Sequence, residues 1–224
     1  MRQIEQRCDS CGSYTETPFC GMTEQGRAML NLQKIDLLFP KGTFIFQKGE
    51  QPRGLYCLSS GLVKLENISK SGSSRILNIL QSGDLLGHRA LFSNQPYSSS
   101  AYVEEETVAC FVSRETVLAL VEKEPILALK LLGQISCEAK LSERRLCHAS
   151  ELSAPSRIAD ALLFLKENFR LKKWSRAEIA AWAGTTSETV VRSLARFEEE
   201  GLIELKGHRI EIINRPELEK RVYL

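Results

Sequence analysis

The segment after Pro125 most constrains the fold of this chain, because about 28 residues follow it with a single glycine and no further proline. At 1.5 Å per residue, an uninterrupted helix of that length extends roughly 40 Å, which is too long for one small domain. We therefore expect a long helix over 125–152 that joins two domains of the 224-residue chain.

One face of this helix carries small or apolar residues at alternating steps of three and four, the a/d spacing of a two-stranded coiled coil. The same helix of a second subunit is the partner that fits such a face, so the sequence predicts a homodimer. The alternative is packing on the chain's own preceding domain, where we expect Leu127 and Leu131 to dock. The predicted dimer stripe consists of Leu132, Ile135, Ala139, Ser142, Leu146 and Ala149.

The residues before the long helix alternate apolar and polar side chains between regularly spaced glycines. Within Leu62–Glu66, for example, Val63 and Leu65 point to one face and the charged residues point to the other. Turns at this spacing between period-two strands are typical of an antiparallel sandwich or jelly roll. We expect a β-roll domain over 24–124, preceded by an arm over 1–23. The glycines lie at positions 42, 49, 61, 72 and 83.

The residues after the long helix predict three helices and a hairpin, which form a winged helix-turn-helix domain over 153–224. Ser175 and Glu178 have the spacing of a capping box at the start of one helix, and Gly184 ends that helix. The other expected features are an amphipathic helix over Arg157–Asn168, a Thr185 or Thr186 cap on the next helix, and a hairpin turn at Lys206, Gly207 and His208.

In a helix-turn-helix, the first turn of the second helix enters the major groove of DNA. There Glu188 could accept a hydrogen bond from cytosine N4, and Arg192 could donate to guanine O6 and N7. The alternative is a surface salt bridge with no role in DNA binding, because the two residues are four apart on one helix. The predicted DNA-binding residues are Ser187, Glu188, Val191 and Arg192.

Three cysteines in the arm and one in a predicted strand could supply four thiolates, which suffice to hold an iron–sulfur cluster. The Cys8–Cys11 spacing also occurs in zinc sites and redox dithiols, and a strand cysteine is by default a small core residue. Cys57 has no matching partner in the sequence and is expected in the core. The four candidate thiols are Cys8, Cys11, Cys20 and Cys110.

Composition indicates an ordinary globular protein in a reducing cytosol. The hydrophobic content of 43% can bury a real core, and the net charge of +2 does not by itself indicate a nucleic-acid partner. Seven cysteines without regular pairing argue against a disulfide framework, and the apolar runs are too short for a membrane span or a secretory signal. We find no nucleophile, base or phosphate loop in the setting of an enzyme.

Three segments are similar to the signatures of one family: Leu55–Gly61 to its strand and turn, Gly83–Gly87 to the turn that follows, and Gly184–Arg192 to its recognition helix. With roll, long helix and winged helix-turn-helix in that order, the chain resembles the CRP/FNR family of bacterial transcription regulators. The resemblance implies an α+β fold with an N-terminal cyclic-nucleotide-binding-like β-roll (jelly roll), a dimerisation helix and a C-terminal winged helix-turn-helix.

The resemblance also implies partners. Glu188 and Arg192 match the family's Glu and Arg that bind a TGA-containing half-site, so we expect a homodimer on palindromic double-stranded DNA, in contact with RNA polymerase. Val191 stands where FNR-type members place a serine, which leaves the outer base open.

Two branches of the family differ in their signal. Cyclic-nucleotide binders have a Glu where this chain has His88, and an Arg-Ser pair where it has Ser98 and Ser99, so cAMP is not expected. The FNR branch has an N-terminal cysteine cluster and one cysteine in the strand before the dimer helix, as this chain does. The resemblance thus implies that Cys8, Cys11, Cys20 and Cys110 hold a 4Fe-4S cluster.

We therefore expect a regulator that senses oxygen or redox state, in which loss of the cluster weakens dimerisation and DNA binding. The alternative is a regulator of the same family without a cluster, which responds to thiol oxidation, zinc or an unknown small molecule.

Overall fold

The computed structural model describes residues 2–4, 7–69, 74–169, 173–207 and 209–223 of the chain. The chain forms two compact units, one made of 1–67 and 77–139 and the other of 68–76 and 140–224. The predicted turn positions Gly72 and His208 lie outside the described residues.

The N-terminal half is built mainly of strands. Short 3-10 turns at Cys8–Ser10 and Tyr14–Glu16 lie in the arm. The regular elements are β1 (Arg2–Ile4), α1 (Glu24–Gln33), β2 (Ile35–Phe39), β3 (Phe44–Phe46), β4 (Gly54–Ile68), β5 (Ser74–Leu80), β6 (Leu85–Leu86), α2 (His88–Ser93), β7 (Ser100–Ser113) and α3 (Arg114–Lys123).

These strands form one sheet in the order β1-β2-β7-β4-β5, with β3 paired to β7 and β6 paired to β4. The described pairings are antiparallel, which confirms the predicted roll. One core cluster holds the aromatic side chains of Phe39, Phe46 and Tyr97. The other packs α1, α3 and the arm against β4 and β7, so the arm belongs to a hydrophobic core.

The predicted long helix is present as α4 (Pro125–Glu151). A proline at its first position is compatible with a helix, because the N–H groups of the first turn have no helical acceptor. Leu127 and Leu131 are buried, as predicted for local docking. By contrast, Leu132 is 60% and Leu146 is 72% exposed in the single chain. Among the described residues, no helix is both long and apolar enough to cross a membrane.

The C-terminal part confirms a helix-turn-helix with a hairpin wing. In the hairpin, Ile203 pairs with Ile212 and Lys206 with Arg209. A further helix follows the wing and buries Leu218 and Val222. The elements are α5 (Ala154–Asn168), α6 (Arg176–Ala183), α7 (Ser187–Glu199), β8 (Ile203–Lys206), β9 (Arg209–Ile212) and α8 (Arg215–Tyr223).

Replacing Gly61 by alanine should strongly destabilise the roll. Gly61 has a φ of 96°, and an added Cβ would lie 2.3 Å from Thr107 Oγ1 and 2.5 Å from the Glu106 carbonyl oxygen. Gly49 is the matched control, because its φ is 91° but nothing lies within 4 Å of an added Cβ.

We expect Gly49→Ala to lower the free energy of unfolding by about 1–2 kcal/mol from backbone strain alone. Gly61→Ala should lower it by a further 1–3 kcal/mol or so, because the backbone of β7 must shift. Urea unfolding followed by circular dichroism measures both values. Equal losses in the two variants would contradict the assigned close approach.

Candidate functional site

The first two cysteines of the arm are held by backbone hydrogen bonds. The Cys8 N–H donates to Asn31 Oδ1 at 2.9 Å, and the Cys11 N–H donates to the Cys8 carbonyl at 3.1 Å. Cys8 is buried, whereas Cys11 is partly exposed. Since Asn31 belongs to α1, the arm has a defined position against that helix.

The third cysteine of the arm is anchored at its backbone. The Cys20 N–H donates to the Thr17 carbonyl at 3.1 Å, and Lys130 Nζ of α4 donates to the Cys20 carbonyl. Glu124, the residue between α3 and α4, accepts from the Thr23 N–H at 3.1 Å. The end of the arm is therefore attached to the start of the long helix.

The fourth candidate, Cys110, lies on β7 between two other polar or thiol side chains. Its register partner on β2 is Asp36, and its register partner on β4 is Cys57. Directly opposed residues of antiparallel strands point to the same face of the sheet. Cys57 and Cys110 are consequently neighbours, although the sequence analysis assigned Cys57 only to the core.

These thiols surround one small cavity. Its walls include Cys8, Cys11, Cys57 and Cys110, so the structure brings together three of the four predicted ligands and adds a fourth thiol. Cys20 does not line this cavity, and the ligand roles of all four predicted cysteines stay predictions. The other lining residues are Arg7, Tyr14, Thr17, Phe19, Leu30, Lys34, Ser59 and Val112.

The cavity is small relative to an iron–sulfur cluster. Its volume of about 20 Å³ is the space of a single water molecule. Among the described His, Cys, Asp and Glu side chains, no three lie close enough together to hold one metal ion. The donor set nevertheless suits a cluster, because thiolate sulfur is its usual protein ligand.

Buried charges accompany the strand thiols. Lys34 has a side chain only 3% exposed, and its Nζ lies 2.6 Å from Asp36 Oδ2 and 3.9 Å from Cys110 Sγ. Burial raises the pKa of both Cys57 and Cys110, and Asp36 raises the pKa of Cys110 further. Both thiols are therefore protonated here, and a metal would have to displace their protons.

The predicted DNA-binding surface lies at the start of α7. The Ser175 hydroxyl accepts from the Glu178 N–H at 3.1 Å, while Glu178 accepts from the Ser175 N–H at 2.9 Å, which confirms the capping box of α6. Gly184 then turns the chain with a φ of 64°. Thr186 caps α7 by accepting from the Thr189 N–H at 3.3 Å.

The first turns of α7 present the predicted residues to solvent. Glu188 and Arg192 lie on one face of the helix, with Glu188 Oε1 3.9 Å from Arg192 Nη1. The opposite face buries Val190, Leu194 and Phe197 against the rest of the unit. An apolar anchor on one side and a free polar face on the other is the arrangement that groove binding needs. The exposed side chains are those of Ser187, Glu188, Val191 and Arg192.

Two arginines hold the carboxyl end of α6. Arg145 of α4 donates to the Trp182 carbonyl at 2.9 Å and stacks 4.1 Å from the centroid of the Trp182 ring. Arg157 of α5 donates to the Ala183 carbonyl at 2.9 Å. Burial lowers the pKa of Arg145 to about 10, so it stays charged at neutral pH. These cations satisfy carbonyls that lack helical partners and favour the helix dipole.

Comparisons with known proteins match both units. Residues 37–124 match the family described as cyclic nucleotide-binding domain, and residues 156–221 match the Crp-like helix-turn-helix domain. FixK2 from Bradyrhizobium japonicum, a solved structure, has a TM-score of 0.73 at 22% identity, and the match covers 84% of this chain and 96% of that one.

Two curated relatives match most of the chain. The fumarate and nitrate reduction regulatory protein of Vibrio cholerae is 30% identical over 187 residues, which are 80% of this chain and 74% of the relative. The CRP-like cAMP-activated global transcriptional regulator of Mycobacterium tuberculosis is 27% identical over 212 residues, which are 91% of this chain and 95% of the relative.

Proposed function

The chain belongs to the CRP/FNR family of DNA-binding transcription regulators, and from that premise we propose that it is a cytosolic, homodimeric, FNR-type sensor of oxygen or redox state. The observation that carries this proposal is the cavity in which two arm cysteines meet Cys110 on β7. A cysteine that only fills the core has no need of other thiols beside it. The related regulators bear both FNR-type and cAMP-type names, and the thiols of this chain favour the FNR-type signal.

Cys8, Cys11 and Cys110 would hold a 4Fe-4S cluster, with Cys20 as the fourth ligand by the family resemblance. Bound there, the cluster supplies an oxygen-sensitive redox centre. The cationic side chains of Arg7 and Lys34 line the same cavity and would offset part of the negative charge of the thiolates. Tyr14 and Phe19 line it as well and would limit the access of water and oxygen.

The contacts of the arm offer a route from this site to the long helix. Lys130, near the start of α4, donates to the Cys20 carbonyl. Glu124, the residue just before α4, accepts from the Thr23 N–H. A displacement of Cys20 would act on Lys130 through this hydrogen bond. The position of the arm is thus coupled to the first turns of α4.

The dimer stripe fits the role of a subunit interface. Leu132, Ala139, Ser142, Leu146 and Ala149 are exposed in the single chain, and Ile135 is partly exposed. Burying leucines of this exposure against a second copy would stabilise the dimer by about 1.5–3 kcal/mol per side chain. Two recognition helices about 34 Å apart would then face successive major grooves, which requires a palindromic site.

At each half-site, Glu188 and Arg192 would contact the G·C pair of a TGA-containing sequence. Both side chains are exposed and adjacent, so they can reach base edges together. RNA polymerase is the further partner that the family resemblance implies.

Cyclic AMP is a less suitable signal for this roll. In the core of the roll the rings of Phe46 and Tyr97 stack with centroids 3.7 Å apart, and Tyr56 packs on Phe111. His88, at the position of the cyclic-nucleotide binders' Glu, is buried and lies 3.1 Å from Glu138 of α4. Although burial opposes it, the hydrogen bond from His88 lowers the pKa of Glu138. The His88 side chain therefore contacts the long helix α4 rather than a ligand of the roll.

A second candidate function is a cluster-free thiol sensor of the same family, which could also bind zinc or another effector. Two observations favour the thiol sensor: the cavity is narrow, and Cys57 and Cys110 are directly opposed on adjacent strands. Peroxide would oxidise the two thiols to a disulfide and be reduced to water.

Metal analysis tests the proposed function directly. Protein purified without oxygen should contain about four irons and four sulfides per chain, with a visible absorption that bleaches in air. Cys8→Ser should lose this content, whereas Cys137→Ser, which changes an exposed thiol on α4, should keep it. Zinc alone, or no metal with DNA binding intact, would favour the thiol sensor instead.

Replacing Leu146 by glutamate should dissociate the dimer, because a carboxylate would be buried in an apolar seam. We expect the dimer dissociation constant to rise by at least about thirtyfold. Cys137→Glu is the control, since Cys137 is exposed on the same helix but off the stripe. Sedimentation analysis measures both variants, and an unchanged dimer in Leu146→Glu would place the interface elsewhere.

Replacing Arg192 by alanine should weaken binding to a TGA palindrome on the order of tenfold to a hundredfold, through loss of the guanine contact. Arg196→Ala is the control, because Arg196 lies one turn further along α7 and pairs with Glu200 at 2.9 Å. Changing the guanine of the half-site should cost the wild type affinity but leave Arg192→Ala unaffected. Equal sensitivity in both proteins would assign that base to another residue.

A further inference from the structure

We propose that Arg145 determines the distance between the two DNA half-sites that the protein binds. This inference rests on the proposed homodimer, and it gives a role in specificity to a residue outside both the predicted DNA-binding surface and the dimer stripe. Arg145 contacts no base in this role. It is a positioning residue, because it holds α6, and through α6 the recognition helix α7, at a fixed place on α4.

Arg145, the helix-turn-helix and the end of the dimer stripe lie in one compact unit. This unit comprises 68–76 and 140–224, so it contains α5, α6 and α7 as well as the last turns of α4. In those turns Ser142, Leu146 and Ala149 belong to the proposed seam. Arg145 precedes Leu146 directly, so the same turn of α4 carries a seam residue and the residue that holds α6.

The guanidinium of Arg145 makes three contacts that fix its position. Its Nη2 donates to the Trp182 carbonyl at 2.9 Å and to the Ile76 carbonyl at 2.8 Å. Its Cζ lies 4.1 Å from the centroid of the Trp182 ring. Ile76 belongs to β5, and both Ile76 and Trp182 are buried. One side chain therefore connects α4 to α6 and to a strand at the same point.

The position of Trp182 determines where α7 begins. Trp182 is the last residue but one of α6, and its ring stacks on Phe164 of α5 with centroids 4.8 Å apart. Gly184 turns the chain directly after α6, and α7 starts at Ser187. Because only three residues separate the two helices, a shift of Trp182 would displace the start of α7.

A small shift of α7 has a large effect on the spacing of half-sites. In a two-fold dimer the shift occurs in both recognition helices, so their separation changes by twice its size. Successive base pairs lie about 3.4 Å apart along the duplex, so a shift of about 1.7 Å in each helix corresponds to one base pair. Half-site spacing is therefore sensitive to the contacts that hold α6 on α4.

Arginine suits this position because of its shape as well as its charge. A planar guanidinium donates hydrogen bonds within its plane while its face stacks on an aromatic ring, and the ammonium of lysine lacks this combination. Arg145→Lys keeps the positive charge and removes the planar geometry. This variant therefore separates the orientation of α6 from simple electrostatic attraction to DNA.

The test measures affinity for TGA palindromes whose central spacers differ by one base pair. The wild type should prefer one spacer by at least about tenfold. Arg145→Ala and Arg145→Lys should bind that spacer more weakly and discriminate among the spacers by about threefold or less. Lys140→Ala is the matched control, since it also removes one positive charge from α4 but at an exposed position, and it should keep the preference of the wild type.

Two further measurements separate this role from a structural one. Sedimentation should show that the Arg145 variants remain dimers, and circular dichroism should match the wild type. Arg192→Ala should lose discrimination at the guanine and keep the preference for one spacer. If Arg145→Ala does not fold, Arg145→Lys alone decides the test.

The inference is overturned if the folded Arg145 variants lose affinity equally on every spacer, keep the wild-type preference or dissociate into monomers. A wild type that binds a single half-site as tightly as a palindrome would instead overturn the proposed dimeric recognition of DNA.

Discussion

The continuity of α4 is the constraint on which the rest of the structure depends. Its backbone hydrogen bonds run within the helix itself, so the chain stays regular from Pro125 to Glu151. Lys130 near its start binds the carbonyl of Cys20, while Arg145 near its end binds the carbonyl of Trp182. The arm and the helix-turn-helix therefore each have a backbone carbonyl that accepts a hydrogen bond from a cationic side chain of α4.

The sensor site combines features that are individually unfavourable. The Lys34 and Asp36 pair is buried, and removing two charges from water costs several kcal/mol before their attraction is counted. Two thiols with raised pKa values lie beside the pair. A site that served only stability would do better with apolar side chains of the same volume. The cost is explained if the Lys34 ammonium, which lies 3.9 Å from Cys110 Sγ, stabilises thiolates bound to a metal.

The two candidate signals place opposite demands on the same cavity. A cluster needs more space than the cavity of about 20 Å³ offers, and Asn31 and Lys130 hold the arm that lines this cavity. A disulfide needs the two strand thiols to stay close, as their register already provides.

Much of the local structure could be predicted because it depends on residues close in sequence. The capping box at Ser175, the turn at Gly184 and the long helix after Pro125 follow from spacing alone, and each is present. Helix α8 was missed, because its 215–223 segment is mostly charged and its two anchors, Leu218 and Val222, are buried only by packing on other helices. The sequence patterns likewise did not predict the helices α1, α2 and α3.

In the sensor site, too, some features follow from sequence spacing and others only from tertiary packing. The sequence by itself determined that the arm carries thiols at metal-ligand spacing and that α7 presents Glu188 and Arg192 on one face. Only the tertiary structure decided that Cys57 faces Cys110, that Lys34 is buried beside them and that Cys20 is held by Lys130. Strand register and burial arise from pairing between segments far apart in the chain, and no local spacing encodes which residues will meet there.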